Sequence, residues 1–486
     1  MTRVKITKLA TGVPGLDDVL GGGLPEYSFN VIAGSPGCGK TSLAHQMMFG
    51  MATAERPALY ISILGEPPIK MLRYQQQFGF FDATKVGKAV KFLHLGDELI
   101  DHGIDAVLAR IVQEVEATSP KLVFVDSFRS LARKSKESGQ MELQSFVQRL
   151  ALHLTSWEAT TFLIGEYEGR EGDSNPIFTV ADGLIWLSQE ASRNSVVRKL
   201  QVVKLRGQGS TPGIHTMKIT DAGIRVYPRL PNPEAPSHPT AQRGQRGERR
   251  KTGVTDLDAM LGGGIPTGYS VMIVGPSGSG KTILSTQFVR EGIKNGEHGV
   301  IAVFEKRPDE YLTTAPGASE LEQLVAEGKL KMLYLRPLDL SVDETMEELA
   351  AAVKEVGATR VVIDSLMGFE LALAPSFRED FRESLYRLVG ALTRLGVTVL
   401  MTAELVESYT ELRLSPHGIS FLTDAIILQR YAEMDGELKR VMVVAKMRGF
   451  DHKKQLRLYE IEEDGLVMGP PLTDYTGIMV GEPHHK

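Results

Sequence analysis

The chain has 486 residues, 42% of them apolar and 24% charged, and 55 basic against 60 acidic side chains leave a formal net charge of −5. These are globular values that exclude disordered, collagen-like and coiled-coil chains, and roughly 100–200 residues per domain predicts two to four domains. A single cysteine, Cys38, excludes an intrachain disulfide or Cys-rich zinc site, and with no signal-peptide core or membrane-length apolar run the expected setting is the cytoplasm.

In chain order, TGVPGLDDVLGGGLP (Thr11–Pro25) is followed by the apolar run SFNVIAG (Ser28–Gly34), a glycine-rich turn and the helical stretch KTSLAHQMMFGMA. Further apolar runs are ALYISIL (Ala58–Leu64), VKFLHLG (Val90–Gly96), KLVFVDS and TTFLIGE, with helix-length segments between them. Closely spaced strand-like runs, one ending in KLRG (Lys204–Gly207), read as antiparallel additions at one sheet edge. Residues 228–250 are rich in Pro and Arg, so they read as an exposed linker.

The pattern then starts again. TGVTDLDAMLGGGIP (Thr252–Pro266) matches the opening motif at 10 of 15 positions with an offset of 241. The glycine-rich turn recurs at the same offset, and VVIDS (Val361–Ser365) and KMRG (Lys446–Gly449) recur at nearly the same one. The chain therefore reads as two copies of one domain, 1–227 and 251–486, far too long a repeat for a solenoid. Short apolar strands alternating with helices predict an α/β fold with a mostly parallel sheet covered on both faces.

The strongest chemical signal is G-x-x-x-x-G-K-[ST], present twice. It runs through Gly34, Ser35, Pro36, Gly37, Cys38, Gly39, Lys40 and Thr41, and through Gly275, Pro276, Ser277, Gly278, Ser279, Gly280, Lys281 and Thr282. Ser42 and Ile283 come next, on the following helix. Glycines let such a loop curl so that backbone N–H groups and the helix N-terminus face phosphate oxygens. Lys40 and Lys281 are expected to reach the β/γ-phosphates of ATP, and the Thr41 and Thr282 hydroxyls to ligate Mg²⁺.

Asp126 and Asp364 each end an apolar strand some 80 residues later, where a P-loop NTPase places its metal-linked carboxylate; a plain helix cap is the competing reading. Acidic residues after the second strand, Glu66 and Glu305, are candidates for the base that polarises the attacking water or hydroxyl. Setting SIL on AVF puts Gly65 opposite Glu305 and Lys306 opposite Glu66. In the Lys-x-Arg triplets, Lys204, Leu205, Arg206 and Lys446, Met447, Arg448, strand alternation sends both cations of a triplet to one face. Such paired cations suit a polyanion and could be supplied in trans to a neighbour's γ-phosphate, or are an ordinary surface pair.

Together, TGVPGLDDVLGGGLP, GSPGCGKT, the acidic residues, VDS and KLRG, duplicated in one chain, resemble the KaiC family of circadian-clock ATPases and autokinases from about Thr11 to Gly481. The resemblance implies tandem RecA-like domains and a double-ring homohexamer with ATP between subunits, the Lys-x-Arg pairs serving the neighbour's nucleotide. It implies ATP hydrolysis in the first copy and serine/threonine autophosphorylation in the second. Aligning SPHGISFLTDAIILQ on Thr423-Asp424 puts the serine acceptor on Ser420, with Ser415 and Thr423 as alternatives, and Phe421 where the family has threonine. The family's paired glutamates are reduced to Gly65-Glu66 and Glu305-Lys306, which predicts slow hydrolysis in the first copy. The family's long C-terminal regulatory peptide is mostly missing, which counts against control by the usual clock activator. Two other readings stay open: a DNA-dependent ATPase of the recombinase or helicase kind, disfavoured by the acidic balance, and a scaffold that uses ATP as structural glue.

Overall fold

The structure, a computed structural model, describes residues 6–63, 68–127, 148–153, 157–167, 176–192, 195–229, 248–314, 317–335, 340–373, 378, 381–405, 421–478 and 484–485. Packing divides the chain into two units, Met1–Arg229 and Leu230–Lys486. Each is built on one nine-stranded sheet.

In the first unit the strands are β1 (Phe29–Gly34), β2 (Ala58–Ser62), β3 (Val90–His94), β4 (Leu122–Asp126), β5 (Thr160–Glu166), β6 (Gly183–Ser192), β7 (Ser195–Leu205), β8 (Ile214–Thr220) and β9 (Gly223–Tyr227). Their order across the sheet is β9-β8-β7-β6-β1-β5-β4-β2-β3. From β3 to β6 neighbours run parallel, and β6 to β9 form an antiparallel meander at one edge.

The second unit repeats this plan with β10 (Ser270–Gly275), β11 (Gly299–Val303), β12 (Leu330–Tyr334), β13 (Arg360–Asp364), β14 (Thr398–Glu404), β15 (Ala425–Met434), β16 (Glu437–Met447), β17 (Arg457–Glu462) and β18 (Gly465–Pro471). Their order, β18-β17-β16-β15-β10-β14-β13-β11-β12, is that of the first sheet. These are two tandem RecA-like P-loop domains.

The apolar runs of the sequence become strands buried on both sides. Successive residues alternate between two cores: Ile32, Tyr60, Phe124 and Phe162 enter one, and Val31, Leu59, Val123 and Leu163 the other. The first core is closed by helix α1 (Lys40–Met51) through Leu43 and Met47, the second by the helix Gly96–Thr118 through Val107, Leu108 and Ile111. Burying each such side chain contributes about 1.5–3 kcal/mol, so the central strands are rigid rails for what stands at their ends. In the second unit helix α2 (Lys281–Lys294) takes the place of α1, with Leu284 and Phe288 in its core.

The repeated opening motif has a local structural role. The Thr11 backbone N–H and hydroxyl both donate to Asp17 Oδ1, at 2.9 and 2.8 Å, and Thr252 treats Asp258 alike, at 2.8 and 2.9 Å. Among the described residues no helix is long and apolar enough to cross a membrane.

Candidate nucleotide sites

Each phosphate loop joins the end of a central strand to a helix start. Gly39 and Gly280 precede α1 and α2 with φ of 103° and 91°, a left-handed conformation that suits glycine. A Cβ there would come within 2.8 Å of Ile219 Cδ1 in the first domain and 3.0 Å of Ile461 Cδ1 in the second. Lys40 Nζ donates to Ser35 O at 2.8 Å, and Lys281 Nζ to Gly275 O and Pro276 O at 2.8 and 2.7 Å, so both ammonium groups lie over their own loops. Burial lowers the Lys281 pKa, against the pull of Glu404, Asp364 and Glu305.

Side chains from the meander brace the loops, a contribution the sequence motif does not reveal. Gln189 Nε2 donates to Pro36 O at 3.2 Å, and Tyr431 OH to Ser277 O at 3.3 Å. In the second domain Ser279 Oγ also donates to Gln429 Oε1 at 3.0 Å, and Tyr459 OH to Ser279 O at 2.6 Å. Cys38, the counterpart of Ser279, is fully buried, and burial pushes its thiol pKa up. Gly37 and Gly278 also have positive φ, while Ser42 and Ile283 begin the helices behind the loops.

The strand-end aspartates stand beside these loops. Thr41 Oγ1 donates to Asp126 Oδ2 at 2.8 Å, joining residues 85 positions apart, and in the second domain the Thr282 hydroxyl is among the groups that pull the Asp364 pKa down. A second hydroxyl reaches each carboxylate: Tyr60 OH donates to Asp126 Oδ2 at 2.7 Å, and Thr402 Oγ1 to Asp364 Oδ1 at 2.5 Å. Burial raises both aspartate pKa values while these hydroxyls pull them down. A hydroxyl close to a carboxylate fits a hard cation that takes its other oxygens from phosphate and water. The donor set thus suits Mg²⁺ bound with ATP.

The strand register corrects the expected alignment of the glutamates. Ser62 pairs with Asp126 as Val303 pairs with Asp364. Leu95 N also donates to Ser62 O as Leu335 N donates to Val303 O, at 2.9 and 3.0 Å. Counting on from these equivalent residues, Leu64 has the place of Glu305, Gly65 that of Lys306, and Glu66 that of Arg307. The expectation that Gly65 faces Glu305 and Glu66 faces Lys306 is one residue out, because it matched apolar letters, whereas the hydrogen-bond ladder sets the frame. Glu66 itself lies outside the described residues. In the second domain the exposed Glu305 accepts a hydrogen bond from Ser365 Oγ at 2.9 Å.

The structure does not bring the Lys-x-Arg cations to their own phosphate loop. Lys204 is opposite Leu184 near the start of β6, whereas the loop follows Gly34, which pairs with Leu187. These positions are three residues apart along β6, about 10 Å, and the cations belong to the far end of the parallel strands. Lys204 Nζ donates to Phe178 O and Thr179 O at 3.0 Å each, and Arg206 to Thr179 O at 3.2 Å and to Asp182. In the second domain Lys446 Nζ donates to Thr423 O at 2.6 Å, and Arg448 to Phe421 O at 3.3 Å. Burial, then the neighbouring arginine, lowers the pKa of Lys204 and Lys446. The middle residues turn inward: Met447 is in the core and Leu205 packs against one.

Ser420 and Ser415 lie outside the described residues. Thr423 is described, and at 1% exposure its hydroxyl is not presented to a phosphoryl donor in this conformation.

A family model for the KaiC ATPase matches residues 9–231 and again 250–473. The chain is 27% identical to the circadian clock protein KaiC3 of Synechocystis sp. over 98% of this chain and 95% of that protein. It is 26% identical to the circadian clock oscillator protein KaiC of Picosynechococcus sp., and 25% to that of Acaryochloris marina, over 98–99% of this chain and 92% of theirs. With two matched copies spanning most of its length, on twin RecA-like sheets that carry twin phosphate loops, the chain belongs to the KaiC ATPase family.

Proposed function

We propose that the chain works as a homohexameric ATPase and serine autokinase, holding Mg²⁺–ATP in both domains and turning it over chiefly in the second. The observation that carries this reading is the pair of loop–carboxylate couples, of which only the second has a glutamate two residues past the equivalent strand end. Loop N–H groups, with Lys40 or Lys281, bind the triphosphate and fix its direction. Thr41 with Asp126, and Thr282 with Asp364, would hold the metal and its water shell. A Mg²⁺ held there would supply positive charge that offsets the charge developing on the departing ADP.

Glu305 takes the proton from a water, or from the hydroxyl of Ser420 on the adjacent subunit. The oxygen so exposed forms a bond to the γ-phosphorus, the bond from that phosphorus to the β–γ bridging oxygen breaks, and ADP leaves with the electron pair. The position of the Lys-x-Arg pairs at the strand ends away from their own loop supports delivery to a neighbour's nucleotide, as a ring of subunits would allow. Lys204, Arg206, Lys446 and Arg448 then complete each site in trans. The names of the relatives favour a signalling or clock setting for the resulting change of state.

One experiment tests the reading: incubation with Mg-ATP, with and without single-stranded DNA, followed by phosphate release, light scattering and peptide mass spectrometry. The expected result is an ATP-dependent hexamer, turnover indifferent to DNA and phosphate on Ser420. A large rise with DNA would favour a recombinase or helicase, and a hexamer with no turnover would leave only a scaffold.

A further inference from the structure

Glu305 stands two residues past the end of β11 and is exposed, so the strand itself does not fix where its carboxylate points. We propose that Ser365 is a positioning residue that holds Glu305 for proton transfer, an inference that rests on the reading of Glu305 as the base. Ser365 follows Asp364 and is the N-cap of helix α3 (Leu366–Ala372). Its Oγ accepts the Gly368 N–H at 3.1 Å and donates to Glu305 Oε1 at 2.9 Å. A hydroxyl has one proton, so with its oxygen engaged by the helix start, that proton is directed at the carboxylate. Glu305 Oε2 is left to meet the proton of the nucleophile.

Gly368 gives independent support. A Cβ at this position would lie 2.9 Å from Glu305 Oε1, 3.0 Å from Glu305 Cγ and 2.9 Å from Phe304 Cβ. The glutamate therefore lies against the first turn of α3, and only a residue without a side chain admits it there. Charge alone would not give this placement. Lys281 at the start of α2 attracts Glu305, and Asp364 at the end of β13 repels it. A charge-assisted hydrogen bond to a hydroxyl anchored in the helix cap settles the geometry between them.

The test uses the full chain with saturating Mg-ATP and measures phosphate release and the KM for ATP. Ser365→Ala is expected to lower kcat on the order of tenfold, the scale of a misplaced catalytic group, with KM changed by less than about twofold. Ser365→Thr, which keeps the hydroxyl, is expected to recover most of that loss. On a Glu305→Gln background Ser365→Ala is expected to cost nothing further, because no carboxylate remains to be positioned. Should Ser365→Ala fail to fold, Gly368→Ala displaces the same carboxylate without removing the cap and is expected to give the same kcat-only loss. Additive losses in the double variant, or a KM rise that accounts for the whole effect, would overturn the proposal. If Glu305→Gln lowers turnover and Ser365→Ala does not, this inference falls alone; if Glu305→Gln leaves turnover intact, the base assignment falls and this inference with it.

Discussion

In the first domain the strand beside Asp126, β2, sends a phenol to it: Tyr60 OH bonds its carboxylate. The matching strand of the second domain, β11, has Ile301 at that place and gives the carboxylate nothing; its contribution is Glu305, two residues past its end. The hydroxyl that Asp364 needs comes instead from Thr402 on the strand at its other side. On the proposed function, the same fold furnishes one domain for gripping a metal-bound triphosphate and the other for moving a proton beside it. Duplication would then let one copy keep the binding chemistry while the other keeps the reaction.

The largest effect that would break this comparison is on turnover. Removing a general base costs roughly 10²–10⁴-fold, so Glu305→Gln is expected to lower steady-state ATP turnover of the full chain by about 100-fold or more. Glu66→Gln, at the place of Arg307, is expected to leave turnover within about twofold. The reverse ranking would place the reaction in the first domain and show that a residue two positions further along the chain substitutes for the missing glutamate.

Acid should separate the domains next. On α1, His45 is fully buried with its ring 4.5 Å from that of Tyr60, and neither nitrogen has a hydrogen-bond partner among the described residues. Burial lowers its pKa to about 3. Below about 6.5 the unfolded chain binds a proton at this position that the folded chain refuses until about pH 3, so stability falls as pH falls through that window. The slope is about 1.4 kcal/mol per pH unit, or about 2 kcal/mol between pH 6.5 and 5. The second domain has Thr286 here, a residue that does not titrate and that bonds Thr282 O at 2.8 Å and Tyr311 OH at 3.0 Å. Both tryptophans, Trp157 and Trp186, belong to the first unit, so tryptophan fluorescence during denaturant unfolding follows that domain. His45→Phe should flatten the acid slope whatever it does to stability at pH 7; an unchanged slope would assign the acid sensitivity elsewhere.

The fold was legible in the sequence because its signals are local and repeated. Loop glycines, strand-end aspartates and apolar runs recur at near-constant spacing, and strands buried on both faces have no other reading in an α/β chain. The parts that escaped the sequence depend on contacts between distant segments. Tyr60 and Thr402 look like ordinary strand residues until the sheet sets them against an aspartate 66 or 38 positions away. Ser365 looks like a helix cap, and is one, but its proton goes to a glutamate 60 residues upstream, past a strand end. The glutamate register is hard to read from sequence for a related reason: apolar residues such as Ile63, Leu64 and Phe304 are interchangeable as letters, whereas the ladder of the preceding strands admits one frame.

The smallest effect tests the grip itself. An ionised carboxylate has about four lone-pair sites, so a phenol on Asp126 Oδ2 still leaves room for the metal's water shell, and its service is to stop the group from rotating. Tyr60→Phe keeps the ring that packs at 5.7 Å from Phe92 and at 4.5 Å from His45, and removes only the hydroxyl. A net hydrogen bond is worth about 1 kcal/mol, of which part is regained from solvent when the metal binds, so Mn²⁺ affinity in the presence of ATP is expected to fall about threefold. Thr402→Val is expected to do the same in the second domain, and there the loss should also appear in turnover. Electron paramagnetic titration of Mn²⁺ separates the two, since Tyr60→Phe should weaken one class of sites while phosphate release stays constant. Tighter Mn²⁺ binding in Tyr60→Phe would mean that the phenol competes with the metal's water, and the first domain would then be built to release its cation rather than to hold it.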